Sequence, residues 1–171
     1  MSVQWTSRFN MGEIKYGFKP FYDENSRLLI LGSFPSVKSR QVEFYYGNKQ
    51  NRFWNTVCGF FDEEVPLSVE DKKDFLKRRK IALWDMVTEC EIVGSQDSKI
   101  KNFKVADIKK LLQNSKINYI ILNGSKAAEI FMQNFGNVEV PFVRLPSTSP
   151  ANTRFIEEEW FDTLSRVFGR N

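Results

Sequence analysis

The stretch that decides the fold runs from Leu28 to Trp54 and reads LLILGSFPSVKSRQVEFYYGNKQNRFW. Its first four residues are apolar without alternation, which is typical of a strand buried on both faces of a sheet. The strand then breaks into Gly32-Ser33-Phe34-Pro35-Ser36, where a glycine and small residues let a ligand approach the backbone. In an open parallel sheet, the loops at the carboxyl ends of strands form the ligand crevice. The sequence therefore places its first candidate site in this loop.

An aromatic and amide-rich segment follows the loop. Phe44, Tyr45 and Tyr46 precede the polar run Gly-Asn-Lys-Gln-Asn at 47–51. Aromatic rings beside amides and a cation suit a planar ligand that forms hydrogen bonds, such as a nucleobase. We therefore expect this segment to border the same site.

The composition restricts the chemistry that is available. The chain of 171 residues contains no histidine, which excludes Ser-His and Cys-His nucleophile pairs and imidazole acid–base catalysis. Its two cysteines lie far apart, match no metal spacing and are expected to be small core residues. A net charge of +4 permits a polyanionic partner, but the cations are scattered. Catalysis would therefore depend on carboxylates, amides, hydroxyls, lysines or water, and we expect no metal and no cofactor.

The length predicts a single domain over 1–171, in which residues 1–25 form an irregular, aromatic-rich arm packed over the core. The sequence contains no recognisable signal peptide and no long apolar run. We therefore expect a cytoplasmic protein with reduced thiols and no membrane contact.

Four apolar strands alternate with helices along the chain. The strands are predicted at 27–34, 81–87, 118–124 and 138–145, and the helices at 52–61, 68–80, 105–114, 125–135 and 155–168. Ser68 and Ser125 are predicted N-caps, and the basic run 77–80 is interpreted as a helix end rather than a DNA-binding patch. The polar segment 88–105 is predicted to be a long loop bordering the site.

This alternation predicts an α/β fold, a three-layer α/β/α sandwich around a central four-stranded parallel sheet. The carboxyl ends of parallel strands share one edge of a sheet. We therefore expect 34–36, Asp85, Asn123 and 147–152 to converge on one crevice.

With these residues in view, the chain resembles the uracil-DNA glycosylase superfamily, and in particular its hypoxanthine-DNA glycosylase branch. The ordered motifs that carry the resemblance are GSFPS at 32–36, YYGNKQNRFW at 45–54, ALWD at 82–85, GSQDS at 94–98, LNG at 122–124 and LPSTSPAN at 145–152.

The resemblance implies a role for each motif. Asn51 matches the amide that positions the attacking water, because Phe34 occupies the first-loop position that usually carries Asp or Asn. Tyr46 matches the ring that stacks on the flipped base. The base-binding set would be Gly32, Ser33, Phe34, Pro35, Ser36, Tyr46 and Asn123. The DNA-binding set would be Asn48, Lys49, Ser147, Thr148, Ser149, Pro150, Ala151 and Asn152, the last six forming a minor-groove wedge.

The chain departs from the family pattern in one place. The related segment more often reads Gly-His-Pro-x-Asn, whereas Asn48 and Lys49 stand at the His and Pro positions. If the histidine contributes to recognition in relatives, the choice of base is open here.

Several residues also have a simpler interpretation. Asn51 is a favourable cap for the helix that begins near Arg52, a role compatible with catalysis. Asp85 is either a structural carboxylate or the alternative activator of water, and Asn123 either stabilises its turn or reads the base. Phe34 either closes the core or lines the pocket, and the serines and threonine at 147–149 either cap a turn or bind phosphate.

The function expected from the sequence is that of a monofunctional DNA glycosylase. It would remove hypoxanthine, or secondarily uracil, from double-stranded or single-stranded DNA as a monomer. Two rivals are a noncatalytic nucleic-acid-binding module on the same fold and an enzyme acting on free nucleosides or nucleotides. The second rival lacks support, since the chain has no phosphate-cradling glycine motif.

Overall fold

The computed structural model describes residues 12–92 and 100–169. In chain order the elements are β1 (Glu13–Tyr16), β2 (Leu28–Gly32), α1 (Val37–Val42), α2 (Phe53–Phe60), α3 (Val69–Arg79), β3 (Ile81–Asp85), β4 (Val87–Ile92), β5 (Ile100–Val105), α4 (Ile108–Gln113), β6 (Tyr119–Asn123), α5 (Ser125–Phe135), β7 (Phe142–Leu145) and α6 (Glu157–Phe168). The arm residues Trp5 and Phe9 and the GSQDS motif lie outside the described ranges.

A four-stranded parallel sheet forms the centre of the molecule, in the order β3-β2-β6-β7. Leu28 of β2 is level with Ile81 on one side and Tyr119 on the other. The chain leaves β2 towards β3 and then crosses over to β6 on the opposite side, so the strand order reverses beside β2. Ligand crevices of α/β proteins lie outside the carboxyl ends of strands at such a reversal.

Strand β2 is buried over its whole length because both faces of the sheet are covered. Leu28 and Ile30 belong to a core with α2, α3 and α6. Leu29 and Leu31 belong to a second core with α4 and α5. Each such side chain contributes about 1.5–3 kcal/mol through burial. The predicted three-layer α/β/α sandwich with a four-stranded parallel sheet is confirmed.

A second sheet replaces the predicted loop at 88–105, and this prediction was wrong. Strands β1, β4 and β5 form an antiparallel sheet in the order β1-β4-β5. The predicted strand 81–87 ends at Asp85, and the chain turns at Met86 into β4. In β4, Val87, Cys90 and Ile92 are buried and the residues between them are partly exposed. The register with β5 shifts on both sides of Glu89, so buried and exposed residues do not alternate regularly along the strand. A half-solvated strand carries polar residues on its exposed face, and for this reason the segment was predicted to be a loop.

The arm was predicted to be irregular, but it contributes β1 to this second sheet. It is also attached to the core as expected. Phe21 and Leu83 exchange two backbone hydrogen bonds of 2.9 Å. Trp84 Nε1 donates to the carbonyl of Phe18, at 3.1 Å.

Helix ends agree with the sequence in one place and differ in another. Ser68 caps α3, with its hydroxyl oxygen accepting from the Asp71 N–H at 3.1 Å. Ser125, however, is the first residue of α5, and the cap is Gly124, with φ of 97°. A Cβ at Gly124 would lie 2.9 Å from Ser147 Cβ, so glycine is needed both for the backbone conformation and for the close approach.

Other boundaries are shifted. The helix predicted from 105 begins at Ile108 after the cap Asp107, the strand predicted from 138 begins at Phe142, and the helix predicted from 155 begins at Glu157. The basic run 77–80 is a helix end, as predicted, and Arg78 and Arg79 both pair with Glu63.

In the described residues, no helix combines the length and apolar character needed to cross a bilayer.

Ser68 and Ser125 provide a matched test, because Ser68 caps its helix and Ser125 does not. Ser68→Ala should lower the free energy of unfolding by about 1 kcal/mol, because an orphan helix N–H loses its acceptor. Ser125→Ala should change it by less than about 0.5 kcal/mol. Urea denaturation of both variants measures this difference, and equal effects would contradict the assignment of Gly124 as the cap.

Both cysteines are buried in the cores, as expected. Burial, reinforced by the charge of Glu63, raises the pKa of the Cys58 thiol to about 11. The thiolate is the reactive form, so this thiol is unreactive at neutral pH.

Alkylation measures this protection. Iodoacetamide at pH 8 should leave Cys58 and Cys90 unmodified in the folded protein, since both are buried and the Cys58 thiol is protonated there. Both should react after denaturation in urea. Mass spectrometry of peptides reads the result, and rapid modification of folded protein would contradict the burial of these residues.

Candidate active site

A small pocket of about 110 Å3 opens at the carboxyl edge of the parallel sheet. Its lining residues come from the ends of β2, β3, β6 and β7, from α1 and from the segment before α2. They are Gly32, Ser33, Phe34, Pro35, Ser36, Ser39, Tyr45, Tyr46, Asn51, Asp85, Asn123, Ser147, Thr148 and Ser149. The structure thus brings together the predicted base-binding residues, Asn51, Asp85 and the first half of the 147–152 loop.

The loop after β2 presents mainly its backbone. A Cβ at Gly32 would lie 2.5 Å from Asp85 Oδ1, so only glycine permits the packing of β2 against this carboxylate. The carbonyls of Gly32 and Ser33 accept hydrogen bonds from Met86 and Val87, at 2.8 and 3.0 Å. These bonds fix the loop against the turn that follows β3.

Side chains of the same loop have structural partners. The Phe34 ring is buried in the second core, with the Arg40 guanidinium 5.5 Å from its centroid. Ser36 caps α1, its hydroxyl oxygen accepting from the Ser39 N–H at 3.1 Å. Within the described residues, the N–H groups of Phe34 and Ser36 form no backbone–backbone hydrogen bond, and both residues line the pocket.

Ser39 was missed by the sequence analysis. Its hydroxyl oxygen accepts from the Gly47 N–H at 2.9 Å and so joins α1 to the aromatic segment. Nothing in the local pattern marks a helical serine for this long-range contact.

The ring of Tyr46 is fixed from both ends. Its backbone is left-handed, with φ of 54°, and its ring stacks on Phe53 with centroids 4.0 Å apart. Its hydroxyl accepts from Asn123 Nδ2 at 3.2 Å. Burial and the charge of Asp85 raise the pKa of Tyr46 above its ordinary value, so the phenol stays neutral at physiological pH. Tyr45 also lines the pocket, but its hydroxyl donates to the carbonyl of Lys19 and holds the arm.

Asn51 lines the pocket and accepts from the first N–H of α2, but the N-cap position itself belongs to Arg52. Its Oδ1 accepts from the Phe53 N–H at 2.9 Å, and its own N–H donates to the Asn48 carbonyl. These two bonds hold the side chain at the pocket wall.

The amide of Asn123 is occupied by protein partners. Oδ1 accepts from the Thr148 N–H at 3.0 Å, and Nδ2 donates to the Thr148 hydroxyl at 3.0 Å and to Tyr46. Asn123 is only 8% exposed. The amide therefore joins β6, the final loop and the aromatic segment, and both of its N–H donors are used.

The final loop is braced by Arg52, which the sequence analysis also missed. Arg52 Nη1 donates to the carbonyls of Ser149 and Asn152, at 3.2 and 3.0 Å. Its guanidinium lies 5.2 Å from the Phe155 ring centroid. Trp160 Nε1 adds a 2.8 Å bond to the Pro146 carbonyl. Position 52 follows Asn51 directly, but its partners are about a hundred residues away, so no local signal could reveal them.

Five predicted DNA-binding residues lie outside the pocket wall. Asn48 closes its own turn by accepting from the Gln50 N–H, and Lys49 is exposed. Pro150 and Ala151 form the exposed tip of the final loop, and Asn152 donates to the Ser147 carbonyl at its base. The loop thus stands beside the pocket with its tip in solvent.

A second depression flanks the other side of this loop. Its lining includes Arg144 and Arg154, together with Ser125, Asn152 and Glu159. Neither arginine was singled out in the sequence. The two cations and one carboxylate make it a polar surface next to the loop.

The model of the uracil DNA glycosylase superfamily matches residues 19–166. The chain belongs to this superfamily. A relative from Methanosarcina acetivorans named hypoxanthine DNA glycosylase is 39% identical over 155 residues, which cover 86% of this chain and 96% of the relative. A second protein of that name, from Methanosarcina barkeri, is 34% identical over 119 residues, covering 67% and 74%.

A solved structure of this superfamily is also similar. It is the solution NMR structure of a candidate uracil DNA glycosylase from Methanosarcina acetivorans, with a TM-score of 0.80 and 37% identity, covering 91% of this chain and 99% of that one. The predicted superfamily, its fold and the class of activity, a DNA glycosylase, are therefore confirmed.

Replacing Arg52 tests the brace. In Arg52→Ala the backbone amides of 148–152 should exchange with solvent about tenfold faster or more, because two charge-assisted bonds to the loop are lost. Arg154→Ala removes an exposed arginine from the same region and should leave their exchange unchanged. Mass-spectrometric hydrogen exchange measures both, and unchanged protection in Arg52→Ala would show that the loop does not depend on this side chain.

Proposed function

We propose that this glycosylase excises a deaminated base, hypoxanthine first and uracil second, from DNA and leaves an abasic site. The observation that carries the proposal is the joining of Asn51, Tyr46 and the GSFPS backbone in one pocket of a uracil DNA glycosylase fold. The order of the two bases is supported by the two hypoxanthine DNA glycosylase relatives.

The reaction replaces the N-glycosidic bond of the sugar by a C–O bond to water. The base departs with the bonding electron pair, the sugar passes through an oxocarbenium-like state, and one proton of the water ends on the base or in solvent. The protein must place the water and stabilise the departing anion, which requires neither a covalent nucleophile nor a Schiff base. We therefore propose a monofunctional glycosylase that does not cleave the strand.

Asn51 is the residue proposed to place the water. Its Oδ1 retains a lone pair after accepting from Phe53, and its position is fixed by that bond. An amide is a weak proton acceptor, so turnover should be slow, since general-base help is worth roughly a hundred- to ten-thousand-fold.

The flipped base would stack against Tyr46, while the N–H groups of Phe34 and Ser36 donate to its carbonyl oxygen. The stack of Tyr46 on Phe53 supports this ring in the orientation that a base requires. Flipping costs a few kcal/mol and is easiest at a mismatch, so recognition would begin before the base enters.

The duplex would lie across the final loop, with Pro150 and Ala151 entering the minor groove and filling the gap left by the flipped nucleotide. Lys49 in the neighbouring turn and Arg144 and Arg154 beyond the loop are placed to meet phosphates on either side. We further propose that the enzyme acts as a monomer in the cytoplasm, since a wedge needs one free face.

Three variants separate the two roles of Asn51. Asn51→Ala should reduce the single-turnover release of hypoxanthine from a deoxyinosine duplex by roughly a hundredfold or more, because the water loses its orienting group. Asn51→Asp keeps an oxygen that accepts from the Phe53 N–H and adds a proton acceptor, so it should retain at least wild-type activity. Asn55→Ala, an exposed change on the same helix, should have no effect.

The assay uses labelled duplexes that carry one deoxyinosine or one deoxyuridine and detects alkali-labile abasic sites. Full activity in Asn51→Ala would move the chemistry towards Asp85 or to stabilisation by the pocket alone. Release of neither base by the wild type, with duplex binding intact, would refute the proposed reaction and leave a binding module.

A further inference from the structure

A second cleft lies at the amino edge of the parallel sheet, opposite the candidate active site. It has a volume of about 220 Å3, and its described lining residues are Arg27, Phe61, Arg78, Arg79, Lys80 and Phe168. Four of these six residues are cationic and none is acidic. Three of the four cations belong to the basic run 77–80, which has no part in the proposed reaction. We call this depression the amino-edge cleft.

The sheet fixes the position of two of the cations. Arg27 directly precedes β2 and Lys80 directly precedes β3, and these two strands are parallel neighbours. The Lys80 carbonyl accepts from the N–H groups of Arg27 and Leu28, at 2.8 and 3.2 Å. The two cationic residues are therefore held side by side at the amino ends of the strands.

The positive charge of the cleft is only partly neutralised. Arg78 and Arg79 share one carboxylate, that of Glu63. In the described part of the chain, the other two cations of the cleft form no ion pair. Four cations and one carboxylate leave a net charge of +3. Asp74 also attracts Arg78, and the excess is still positive when it is counted.

The helix end explains only part of this cluster. Cations are favourable near a helix C-terminus, which accounts for the basic residues of the last turn of α3. Arg27, however, precedes a strand and lies on no helix. Lys80 is the C-cap of α3 and is left-handed, with φ of 59°, in a conformation that usually carries glycine. Because the local fold calls for neither cation, a ligand of opposite charge accounts for their presence.

The aromatic floor of the cleft holds one guanidinium in place. The Arg79 guanidinium lies 4.3 Å from the Phe61 ring centroid, and its Nε donates to Glu63 at 2.9 Å. The Phe61 ring packs edge-on against Phe168, with centroids 5.1 Å apart. Arg79 therefore loses little side-chain freedom when an anion binds, and guanidinium donors match the oxygens of a phosphate.

A straight duplex cannot occupy both edges of the sheet. Strand β2 has five residues and is about 16 Å long at roughly 3.3 Å per residue. The candidate active site lies beyond the carboxyl end of this strand, and the amino-edge cleft lies beyond its amino end. A duplex that lies across the final loop is therefore separated from the cleft by the length of the sheet.

We propose that the amino-edge cleft binds the backbone phosphates of a second DNA segment while the active-site edge holds the first. The lining consists of cations and phenyl rings and has no amide to read a base, so this binding is independent of sequence. An enzyme with two such faces passes directly between neighbouring segments without a free intermediate. The inference rests on the DNA glycosylase activity and not on which base is removed.

Dissociation in the presence of competitor DNA tests the proposal. A fluorescent, undamaged duplex is bound to the protein, unlabelled undamaged duplex is added by stopped flow, and the dissociation rate is measured. In the wild type this rate should rise about threefold or more over a roughly tenfold range of competitor, because the competitor binds the cleft before the first duplex leaves. The rise should become smaller as salt is added, since phosphate contacts release counterions.

Two double variants remove the same charge from different places. Arg27→Gln with Lys80→Gly should make the dissociation rate independent of competitor, and glycine suits the left-handed backbone at position 80. Lys109→Gln with Lys110→Gln, at exposed positions of α4, should keep the wild-type dependence. Equal affinity of the two double variants for a single duplex, without competitor, shows that the first DNA-binding face is intact.

Three results would overturn the proposal. The first is a wild-type dissociation rate that does not change with competitor, and the second is a dependence that survives in Arg27→Gln with Lys80→Gly. The third is loss of the dependence when a deoxynucleoside monophosphate is added at micromolar concentration, which would make the cleft a nucleotide site. Because the duplexes contain no deaminated base, failure of this test and failure of base release in the glycosylase assay are separate results.

Discussion

The pocket depends on the side-chain amide of Asn123. Its three hydrogen bonds, two to Thr148 and one to Tyr46, join the end of β6 to the final loop and to the aromatic segment, which are far apart in sequence. The amide is buried, so loss of either partner would leave an unpaired polar group at a cost of about 1–3 kcal/mol. This requirement holds the pocket walls at fixed distances before any ligand arrives.

The same network decides what the pocket can offer. The amide of Asn123 and the oxygens of the loop serines bind other parts of the protein, whereas the first loop and Asp85 contribute to the lining of the cavity. Polar groups that are already fixed at a rigid sheet edge need little reorganisation when a ligand binds, which is the basis of electrostatic preorganisation. The arrangement suits a reaction that needs a positioned water and a stabilised leaving group.

Preorganisation extends to the surface that would meet DNA. Arg52 ties the loop carbonyls to the start of α2, next to Asn51, so the proposed wedge and the proposed water-orienting amide are attached to one helix end. The ring of Tyr46 packs on Phe53 in the first turn of that helix. The helix start is therefore the common support of the base wall, the water site and the wedge.

The sequence by itself determined the parallel sheet, its two helical layers and the set of residues at its carboxyl edge. Continuous apolar runs such as 28–31 have few alternatives to a doubly covered strand, and strand ends of a parallel sheet must share one edge. The motifs in chain order likewise determined the superfamily. Only the tertiary structure decided the second sheet, because β4 and β5 are half-solvated and irregular in register.

The tertiary structure also decided how each site residue is used. The residue types of Asn51, Asn123 and Asp85 do not assign their roles. An amide or a carboxylate can cap a helix, close a turn or face a ligand. Which role it has depends on partners such as Phe53, Thr148 and Gly32, and for Asn123 and Asp85 these lie 25 or more positions away. Hydrogen bonds of that range leave no periodicity in the chain, so they exist only once the sheet has brought the strand ends together.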